Sequence, residues 1–304
     1  MHTKQALFLL AYGTPETAKD IEPYYTDIRH GHPPEAVQLY ELQKRYQAIG
    51  GKTPLLTITR EQARLLEQKL NIPVFIGMKH WHPYIADTVK NFTKKGITDI
   101  IALVLAPHYS IMSIGDYEKR LNLAIDTINP EIRVLFIKQW GDNPIFIDSL
   151  CQRIEETRKT FSCPDVADIE VVFTAHSLPI KILAMNDPYK NQLFQTCKLV
   201  AKKLRISHWR LSFQSAGRTR DTWLGPDILQ EMKNISDSGI RQVLIAPIGF
   251  TTDNLEILYD LDIQAKDAAK KAGLVLKRIP SANTTSRFID ALVNVITPYL
   301  YAKE

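Results

Sequence analysis

Short runs of apolar and β-branched residues alternate with stretches of helical periodicity along this chain, and this alternation restricts the possible folds most strongly. The runs lie at residues 6–12, 73–78, 100–106, 132–138, 169–175, 209–214, 242–248 and 274–279. Neighbouring parallel strands need a crossover connection, which is usually a helix, and parallel sheets are covered by helices on both faces. The pattern therefore predicts an α/β fold with parallel sheets.

An internal repeat divides the eight strand candidates into two sets of four. The segment LFLLAYGTP at 7–15 resembles VVFTAHSLP at 171–179. Tyr12 then corresponds to His176, with an offset of 164 (176 − 12). The repeat predicts two similar Rossmann-like domains, each a doubly wound, four-stranded parallel sheet.

The two halves differ in length between the first strand and a later strand that ends in Ala-Pro. Both halves reach that strand from a helix-ending glycine, in 94–110 and in 237–252. Aligning the two Ala-Pro pairs gives the first half 24 additional residues, which we expect at about 16–53. An insertion after the first strand lies at the carboxyl edge of the sheet, where α/β proteins bind ligands.

A chain of 304 residues is long enough for two domains with their own cores. We predict an N-terminal domain over 1–140, which includes the insertion, and a C-terminal domain over 141–304. The link is expected near WGDNP at 140–144. The last helix, at about 285–301, could pack back on the first domain.

Composition argues against several classes of protein. No apolar run approaches the ~20 residues of a membrane span, and the N-terminus lacks the small-residue cleavage site of a signal peptide. The three cysteines, Cys151, Cys163 and Cys197, form no CxxC pair, so neither a disulfide framework nor a zinc or iron–sulfur site is indicated. A cytoplasmic location is predicted.

The net charge of +5 fits either a solvated surface or a protein that attracts an anionic ligand. Runs of Lys and Arg and known nucleic-acid motifs are absent from the sequence, so no nucleic-acid partner is predicted. The sequence also has neither a GxGxxG after a strand nor a P-loop, which argues against nucleotide binding.

Tyr12 and His176 end the first strand of each half. If the crevices of the two domains face each other, a phenol oxygen and an imidazole nitrogen would meet across a cleft. Both groups bind metals, and imidazole is the commonest metal ligand in proteins. A histidine that only packs at a strand end is the alternative interpretation.

A carboxylate is expected near His176, on the helix after the seventh strand. Polar residues spaced four apart share one face of that helix: Glu256, Asp260 and Gln264. The candidate N-caps are Thr251, Thr252 and Asp253, and Gly273 is a plausible stop. Glu256, in the first turn, should point into the same crevice as His176. Together they can hold a divalent metal or move protons, whereas an ordinary solvated stripe is the alternative.

The predicted insertion carries groups that suit carboxylates or phosphates. These groups are Arg29, Arg45, Tyr46 and Thr53. The Gly50-Gly51 turn is expected to leave backbone N–H groups available. A solvated surface is again the alternative. His80 and His82 have the HxH spacing of some metal sites, and His108 follows an Ala-Pro pair; for all three histidines, packing is the favoured interpretation.

Seven segments, in order along nearly the whole chain, resemble the ferrochelatase family. They are AYGTP (11–15), RYQAIGGKTPL (45–55), APHYS (106–110), TAHSLP (174–179), DPY (187–189), FQSAGRTRDTWLGPD (213–227) and PIGFTTDNLEILYDLD (247–262). The strand that ends in histidine, the W-LGP stretch and the acidic helix form a specific combination. The resemblance implies two Rossmann-like domains without a bound nucleotide.

The resemblance is closest to the coproporphyrin III ferrochelatases of Gram-positive bacteria. Protoporphyrin enzymes of the mitochondrial kind usually have NMGGP where this chain has AYGTP, so that Met replaces Tyr12. They also carry a longer apolar lip where this chain has the polar HGHPPEAVQ at 30–38. No cysteine follows Cys197, so the iron–sulfur cluster of those relatives is not expected.

The resemblance implies insertion of Fe²⁺ into coproporphyrin III, which forms coproheme in haem biosynthesis. His176 and Glu256 match the residues that insert the metal, and Tyr12 matches the axial residue. The positions around the porphyrin propionates are matched by Arg29, Arg45, Tyr46 and Tyr117, with Thr53 where relatives often have Ser. Gln264 replaces a second Glu of the relatives, which puts an outer metal site in doubt.

No cofactor is expected besides the substrate Fe²⁺. We expect a monomer that could pass its product to a coproheme decarboxylase. Three alternatives stay open: a protoporphyrin IX ferrochelatase, a related cobalt or nickel chelatase, and a non-catalytic two-lobed protein that binds an anionic ligand.

Overall fold

The computed structural model describes residues 4–162, 168–217, 219 and 221–300. Cys163 lies outside these ranges. Two four-stranded sheets form, and every strand pair in them is parallel, which confirms the predicted α/β fold. The strands of the first sheet are β1 Gln5–Ala11, β2 Val74–Met78, β3 Asp99–Val104 and β4 Arg133–Ile137. Those of the second are β5 Ile169–His176, β6 Trp209–Gln214, β7 Gln242–Pro247 and β8 Val275–Arg278.

The two sheets have the same strand order, β2-β1-β3-β4 and β6-β5-β7-β8. The first strand of each half therefore lies between two neighbours. In β1 six of seven residues are buried, and in β5 seven of eight. Near-continuous apolar runs are typical of such strands, which are covered on both faces of the sheet. The carboxyl ends of β1 and β3, and of β5 and β7, lie at the points where the strand order reverses, and α/β proteins bind ligands at such points.

Helices connect the strands. The α-helices are α1 Ile21–Ile28, α2 Ala36–Ala48, α3 Leu55–Leu70, α4 Ile85–Lys95, α5 Ile114–Ile128, α6 Pro144–Arg158, α7 Tyr189–Leu204, α8 Ile228–Asp237, α9 Lys266–Lys271 and α10 Ser286–Ile296. A π-helix spans Glu256–Ala265 directly before α9. None of the helices in the described part of the chain combines the length and the apolar character needed to cross a membrane.

Local sequence explains where these helices begin, end and pack. Asn143 caps α6, because its side-chain oxygen accepts from the N–H groups of Ile145 and Phe146, and Pro144 occupies the first turn. In α4 the buried apolar residues recur at helical spacing, at Ile85, Val89 and Phe92. The helix ends at Gly96, whose φ of 65° suits glycine.

The chain forms two compact units. Among the described residues, the first unit contains 4–106, 113–139 and 283–300, and the second contains 107–112 and 140–282. The 107–112 segment lies inside the predicted first domain but belongs to the second unit. The last helix, α10, belongs to the first unit, on which it was expected that it could pack. Within the first unit α10 packs on α3, where Lys69 bonds Asp290 at 2.9 Å.

The strand registers correct the predicted alignment of the two halves. Gln5 pairs with Asp99, and Ile169, which is 164 residues after Gln5, pairs with Gln242. The third strands therefore correspond with an offset of 143 (242 − 99), so the two Ala-Pro pairs are three residues out of register. The first half has 21 additional residues rather than 24, since 99 − 5 exceeds 242 − 169 by 21.

The insertion itself lies between the first and second strands of the first sheet. Leu7 pairs with Val74, and the equivalent Val171 pairs with Trp209, so this connection is 29 residues longer in the first half (67 against 38). Ile101 and Leu244 are the third-strand partners of Leu7 and Val171, so the next connection is 8 residues shorter in the first half (27 against 35). The longer connection contains α1 and α2, which are the helices of the predicted 16–53 stretch.

His108 packs in the interior, as expected, but in the second unit and not in the predicted first domain. Its Nε2 lies 2.8 Å from Thr196 Oγ1, and the Thr196 hydroxyl donates to the Gly141 carbonyl at 2.8 Å. Because the threonine hydrogen is already used, Nε2 must be the donor. Its imidazole is 3% exposed, and burial lowers the pKa of His108 to about 3.

Protonation of His108 should destabilise the fold in acid. An imidazole in an unfolded chain titrates near 6.5, so between that pH and about 3 the unfolded state binds a proton that the folded state does not. The free energy of unfolding should therefore fall as the pH falls, by up to about 1.4 kcal/mol per pH unit from this residue. Urea denaturation of the wild type and His108→Gln across this range should show a shallower slope in the variant. The exposed His208→Gln is the control, and equal slopes for wild type and His108→Gln would contradict the assignment.

Candidate active site

His176 is the last residue of β5, and its ring is held in one orientation. Its Nδ1 lies 2.5 Å from the Ser177 carbonyl oxygen. A carbonyl only accepts hydrogen bonds, so Nδ1 carries the hydrogen. In the neutral ring Nε2 then keeps its lone pair, which can bind a metal ion or accept a proton.

The turn after His176 is fixed by its neighbours. The Ser177 N–H donates to the Gln214 carbonyl at 2.7 Å, and the Ser177 hydroxyl donates to the Leu224 carbonyl at 2.7 Å. The buried Tyr189 hydroxyl donates to the His176 carbonyl at 2.9 Å. These bonds satisfy the backbone where β5 leaves the sheet. Ser177 therefore positions the histidine.

Close packing also fixes the loop after β7 against this strand end. A Cβ added to Gly249 would lie 2.9 Å from Ala175 Cβ and 3.1 Å from Ala175 Cα. Only glycine allows the two backbones to approach so closely. The next residue, Phe250, places its ring centroid 6.2 Å from that of His176.

Glu256 begins a π-helix, where the sequence analysis expected an ordinary α-helix. The predicted N-cap is also wrong. The side chain that satisfies a first-turn N–H belongs to Asn254, whose Oδ1 accepts from the Ile257 N–H at 2.9 Å. Asp253 instead accepts a hydrogen bond from the Ser281 hydroxyl at 2.5 Å. Long π-helices are rare, and π-turns are frequent at functional sites.

The three polar residues of the predicted line differ in their surroundings. Glu256 and Gln264 are half-buried, whereas Asp260 is 5% exposed and accepts a hydrogen bond from the Ser215 hydroxyl. Within the described ranges, no hydrogen bond or ion pair engages the Glu256 carboxylate. The carboxylate is therefore available to a metal or a proton. No group of three or more His, Cys, Asp or Glu residues in those ranges could hold a metal ion.

Gln214 joins His176 and Glu256, and no pattern in the sequence had indicated this residue. It is the last residue of β6 and the register partner of His176. Its Nε2 donates to the backbone carbonyl of Glu256 at 3.2 Å. The two predicted metal ligands are thus connected through one buried residue of the second unit, by its backbone on the His176 side and by its side chain on the Glu256 side. The strand end at 214 was visible in the sequence, but its partner could not be inferred without the register.

Tyr12 follows β1 in the first unit and is 38% exposed. Its ring lies 4.7 Å from the His80 ring. The Lys79 ammonium lies 5.8 Å from the Tyr12 ring centroid and 5.1 Å from that of Tyr117. One buried cation therefore lies near the rings of two of the predicted porphyrin-binding residues.

Lys79 is a second residue that sequence reasoning missed, although it directly follows β2. Its side chain is 9% exposed, and its Nζ lies 2.7 Å from Asp116 Oδ2. Burial lowers the pKa of Lys79, while the Asp116 carboxylate opposes this change. Burial alone would raise the pKa of Asp116, but Lys79 and Arg120 outweigh it and lower that pKa. The pair keeps a charged group buried beside Tyr12 and Tyr117.

Tyr46 and Thr53 are brought together by Thr14. The Thr53 hydroxyl donates to Thr14 Oγ1 at 3.0 Å, and Thr14 Oγ1 lies 3.3 Å from the Tyr46 hydroxyl. All three side chains are buried. The expected free N–H groups of the glycine turn are not free, because Gly50 donates to the Gln47 carbonyl and Gly51 to the Tyr46 carbonyl. Both glycines have φ near +90°, so they end α2 and use its last carbonyls.

The two predicted arginines lie on the insertion. Arg29 directly follows α1, and its Nε donates to the His32 carbonyl at 3.3 Å. Its guanidinium lies 5.9 Å from the Tyr25 ring centroid. No hydrogen bond, ion pair or ring contact within the described ranges joins it to the other predicted residues. Arg45 is half-buried near the end of α2.

The HxH pair is not arranged as a metal site. His80 Nδ1 lies 2.7 Å from Asp27 Oδ2, and burial, opposed by Asp27, lowers the pKa of His80 to about 4. The His82 ring instead packs 4.6 Å from Tyr84 and 5.4 Å from Trp81. The packing interpretation of both histidines agrees with these contacts.

Comparison with known sequences gives matches over nearly the whole chain. The protein-family model described as Ferrochelatase matches residues 4–300. A ferrochelatase of Herpetosiphon aurantiacus is 41% identical over 98% of this chain and 99% of its own. A coproporphyrin III ferrochelatase of a Geobacillus species is 38% identical over 96% of this chain and 97% of its own.

A solved structure supports the fold. SirB from Bacillus subtilis, solved with Fe³⁺, superposes with a TM-score of 0.63 over 97% of this chain and 95% of its own. At 13% identity it shows a shared fold only. The length and identity of the sequence matches show the family, and this chain belongs to the ferrochelatases, which are enzymes that insert a metal into a porphyrin.

Proposed function

We propose that this ferrochelatase inserts Fe²⁺ into coproporphyrin III and releases coproheme. The observation that carries the chemistry is the pair on the second unit, where His176 Nε2 keeps a lone pair and Glu256 has no partner among the described residues. Relatives named coproporphyrin III ferrochelatase, at 38–40% identity, support the substrate. The H. aurantiacus relative is named only ferrochelatase, so protoporphyrin IX is the second candidate.

The reaction exchanges one Fe²⁺ for the two N–H protons of a free porphyrin. A flat macrocycle hides both its nitrogen lone pairs and these protons, and binding energy from the remote propionates can bend it. In this proposal His176 Nε2 accepts a proton or transiently binds the metal. Glu256, which can accept a proton in turn, passes it outward or holds the arriving ion.

The first unit supplies the groups that hold the porphyrin in this proposal. Tyr12, which is partly exposed at the carboxyl end of β1, takes the axial position on the iron. Cationic and hydroxyl groups pair with the propionates: Arg29, Arg45, Tyr46, Thr53 and Tyr117.

The remaining expectations stay predictions. The proposed reaction needs no resident cofactor, because neither the insertion of Fe²⁺ nor the release of the two protons changes an oxidation state. A monomeric state, a cytoplasmic location and transfer of the product to a coproheme decarboxylase rest on the sequence and the family resemblance.

His176→Ala should abolish metal insertion while porphyrin affinity stays within a few-fold of the wild type. The substitution removes the lone pair but none of the groups on the first unit. Glu256→Gln should slow insertion severely, because the amide keeps the shape and cannot accept a proton. Anaerobic turnover with Fe²⁺ and porphyrin fluorescence titration measure the two effects. Near-normal turnover of His176→Ala would remove His176 from the mechanism.

The enzyme should prefer coproporphyrin III to protoporphyrin IX. Coproporphyrin has four propionates, whereas protoporphyrin has two, with vinyl groups in place of the others. A charge-assisted hydrogen bond to a carboxylate contributes about 1.5–3 kcal/mol, so two additional paired propionates favour coproporphyrin by on the order of a hundredfold or more. A vinyl group facing Arg29 or Arg45 would leave the guanidinium unpaired.

Steady-state kinetics with both porphyrins measure this preference. The Arg29→Ala, Arg45→Ala double variant should lose most of it, mainly through a higher KM for coproporphyrin. An equal or higher kcat/KM for protoporphyrin IX in the wild type would overturn the assignment and leave the family membership unchanged.

A further inference from the structure

Arg278, the last residue of β8, makes a two-pronged ion pair with the π-helix. Its Nε lies 2.9 Å from Asp262 Oδ1, and its Nη2 lies 2.7 Å from Asp262 Oδ2. Only 12% of the arginine side chain and 21% of the aspartate side chain are exposed. Paired bonds of this kind fix geometry as well as charge, and lysine cannot reproduce them.

The same guanidinium also reaches the segment that precedes the π-helix. Arg278 Nη2 lies 3.7 Å from Asp253 Oδ1. The Ser281 hydroxyl donates to that carboxylate oxygen at 2.5 Å and lies 3.4 Å from Arg278 Nη1. Asp253 and Asp262 stand three residues before and six residues after Glu256. One side chain of β8 thus holds the chain on both sides of Glu256.

This position matters because π-helical geometry is rare, so the packing around the segment must maintain it. The inner face of the helix packs on the sheet through Ile257, Leu261 and Ala265, all fully buried. Apolar contacts resist separation of the helix from the sheet, but they resist sliding and rotation poorly. Sliding and rotation are resisted here by hydrogen bonds from Gln214 to the Glu256 carbonyl and from Arg278 to Asp262, together with the ion pair of Arg278 with Asp253.

The backbone next to Arg278 is itself anchored. Arg153, 7% exposed on α6, donates from Nη1 to the Pro280 carbonyl at 2.8 Å and from Nε to the Ser149 carbonyl at 3.0 Å. The segment that follows β8 is therefore fixed to α6 by a buried side chain. The backbone that carries Arg278 is consequently held in place by these hydrogen bonds.

We propose that Arg278 is a positioning residue for metal insertion, which holds Glu256 in register with His176 through Asp253 and Asp262. The proposal rests on the proposed function of Glu256. Arg278 touches neither substrate, and its effect passes through the helix. Loss of its paired bonds should therefore lower kcat and weaken apparent Fe²⁺ affinity while the KM for porphyrin stays the same.

The test compares Arg278→Lys and Arg278→Met with a matched control, Arg210→Met. Arg210 lies on β6 of the same unit, with its Nε 3.1 Å from Glu170 and its Nη1 3.3 Å from Glu231. Like Arg278, it is a partly buried arginine shared by two carboxylates, but within the described residues no hydrogen bond or ion pair joins it to the candidate site. Thermal unfolding should show comparable losses of stability in Arg278→Met and Arg210→Met.

Substitution of a residue that orients a metal-binding group typically costs about tenfold to a hundredfold, and we expect kcat for Fe²⁺ insertion to fall by this factor in Arg278→Met. Arg278→Lys should recover only part of it, and Arg210→Met should turn over normally. In the Glu256→Gln background, adding Arg278→Met should lower the remaining rate no further, because both changes act on one group.

Two outcomes would overturn the proposal separately from the proposed function. If Glu256→Gln is slow but Arg278→Met turns over like Arg210→Met, Arg278 has only a structural role. Multiplied losses in the double variant would mean that Arg278 acts independently of Glu256. Normal turnover of Glu256→Gln would instead show that the proposed function of Glu256 is wrong.

Discussion

Parallel pairing of the first strand of each half with two neighbours determines where the chemistry of this protein can lie. β1 and β5 are buried on both faces, so neither strand can carry a reactive side chain along its length. The first available position is the carboxyl end, where Tyr12 and His176 stand. The loops after the third strands, β3 and β7, begin at the same edges of the sheets. The strand order alone thus places the functional side chains of each unit at the carboxyl edge of its sheet.

The sequence predicted the features that depend on local patterns. Apolar β-branched runs located the eight strands, and the match of Tyr12 with His176 located equivalent strand ends. The Ala-Pro pairs misled the alignment by three residues, because a short similarity does not report register. The glycine turn at 50–51 was found, but its N–H groups serve the end of α2, since a helix must satisfy its last carbonyls.

Features that depend on contacts between distant segments could not be predicted. The spacing of Glu256, Asp260 and Gln264 keeps one face in an α-helix and nearly so in a π-helix, so it could not distinguish the two. Gln214 and Arg278 act on Glu256 from neighbouring strands, and neither belongs to a recognisable motif. Lysine side chains are usually exposed, so the sequence does not indicate that Lys79 is buried. Only the structure shows it buried against Asp116.

The acidic residues around the π-helix show how one carboxylate is reserved for chemistry. Asp253 is bonded by Ser281 and faces Arg278, Asp260 is bonded by Ser215, and Asp262 is paired with Arg278. Glu256 lies among them, half-buried, and has no partner within the described part of the chain. A partly buried carboxylate without a partner loses hydration and gains nothing in return, so it destabilises the fold. The surrounding ion pairs and hydrogen bonds offset that cost, and they leave a group that a cation or a proton can satisfy.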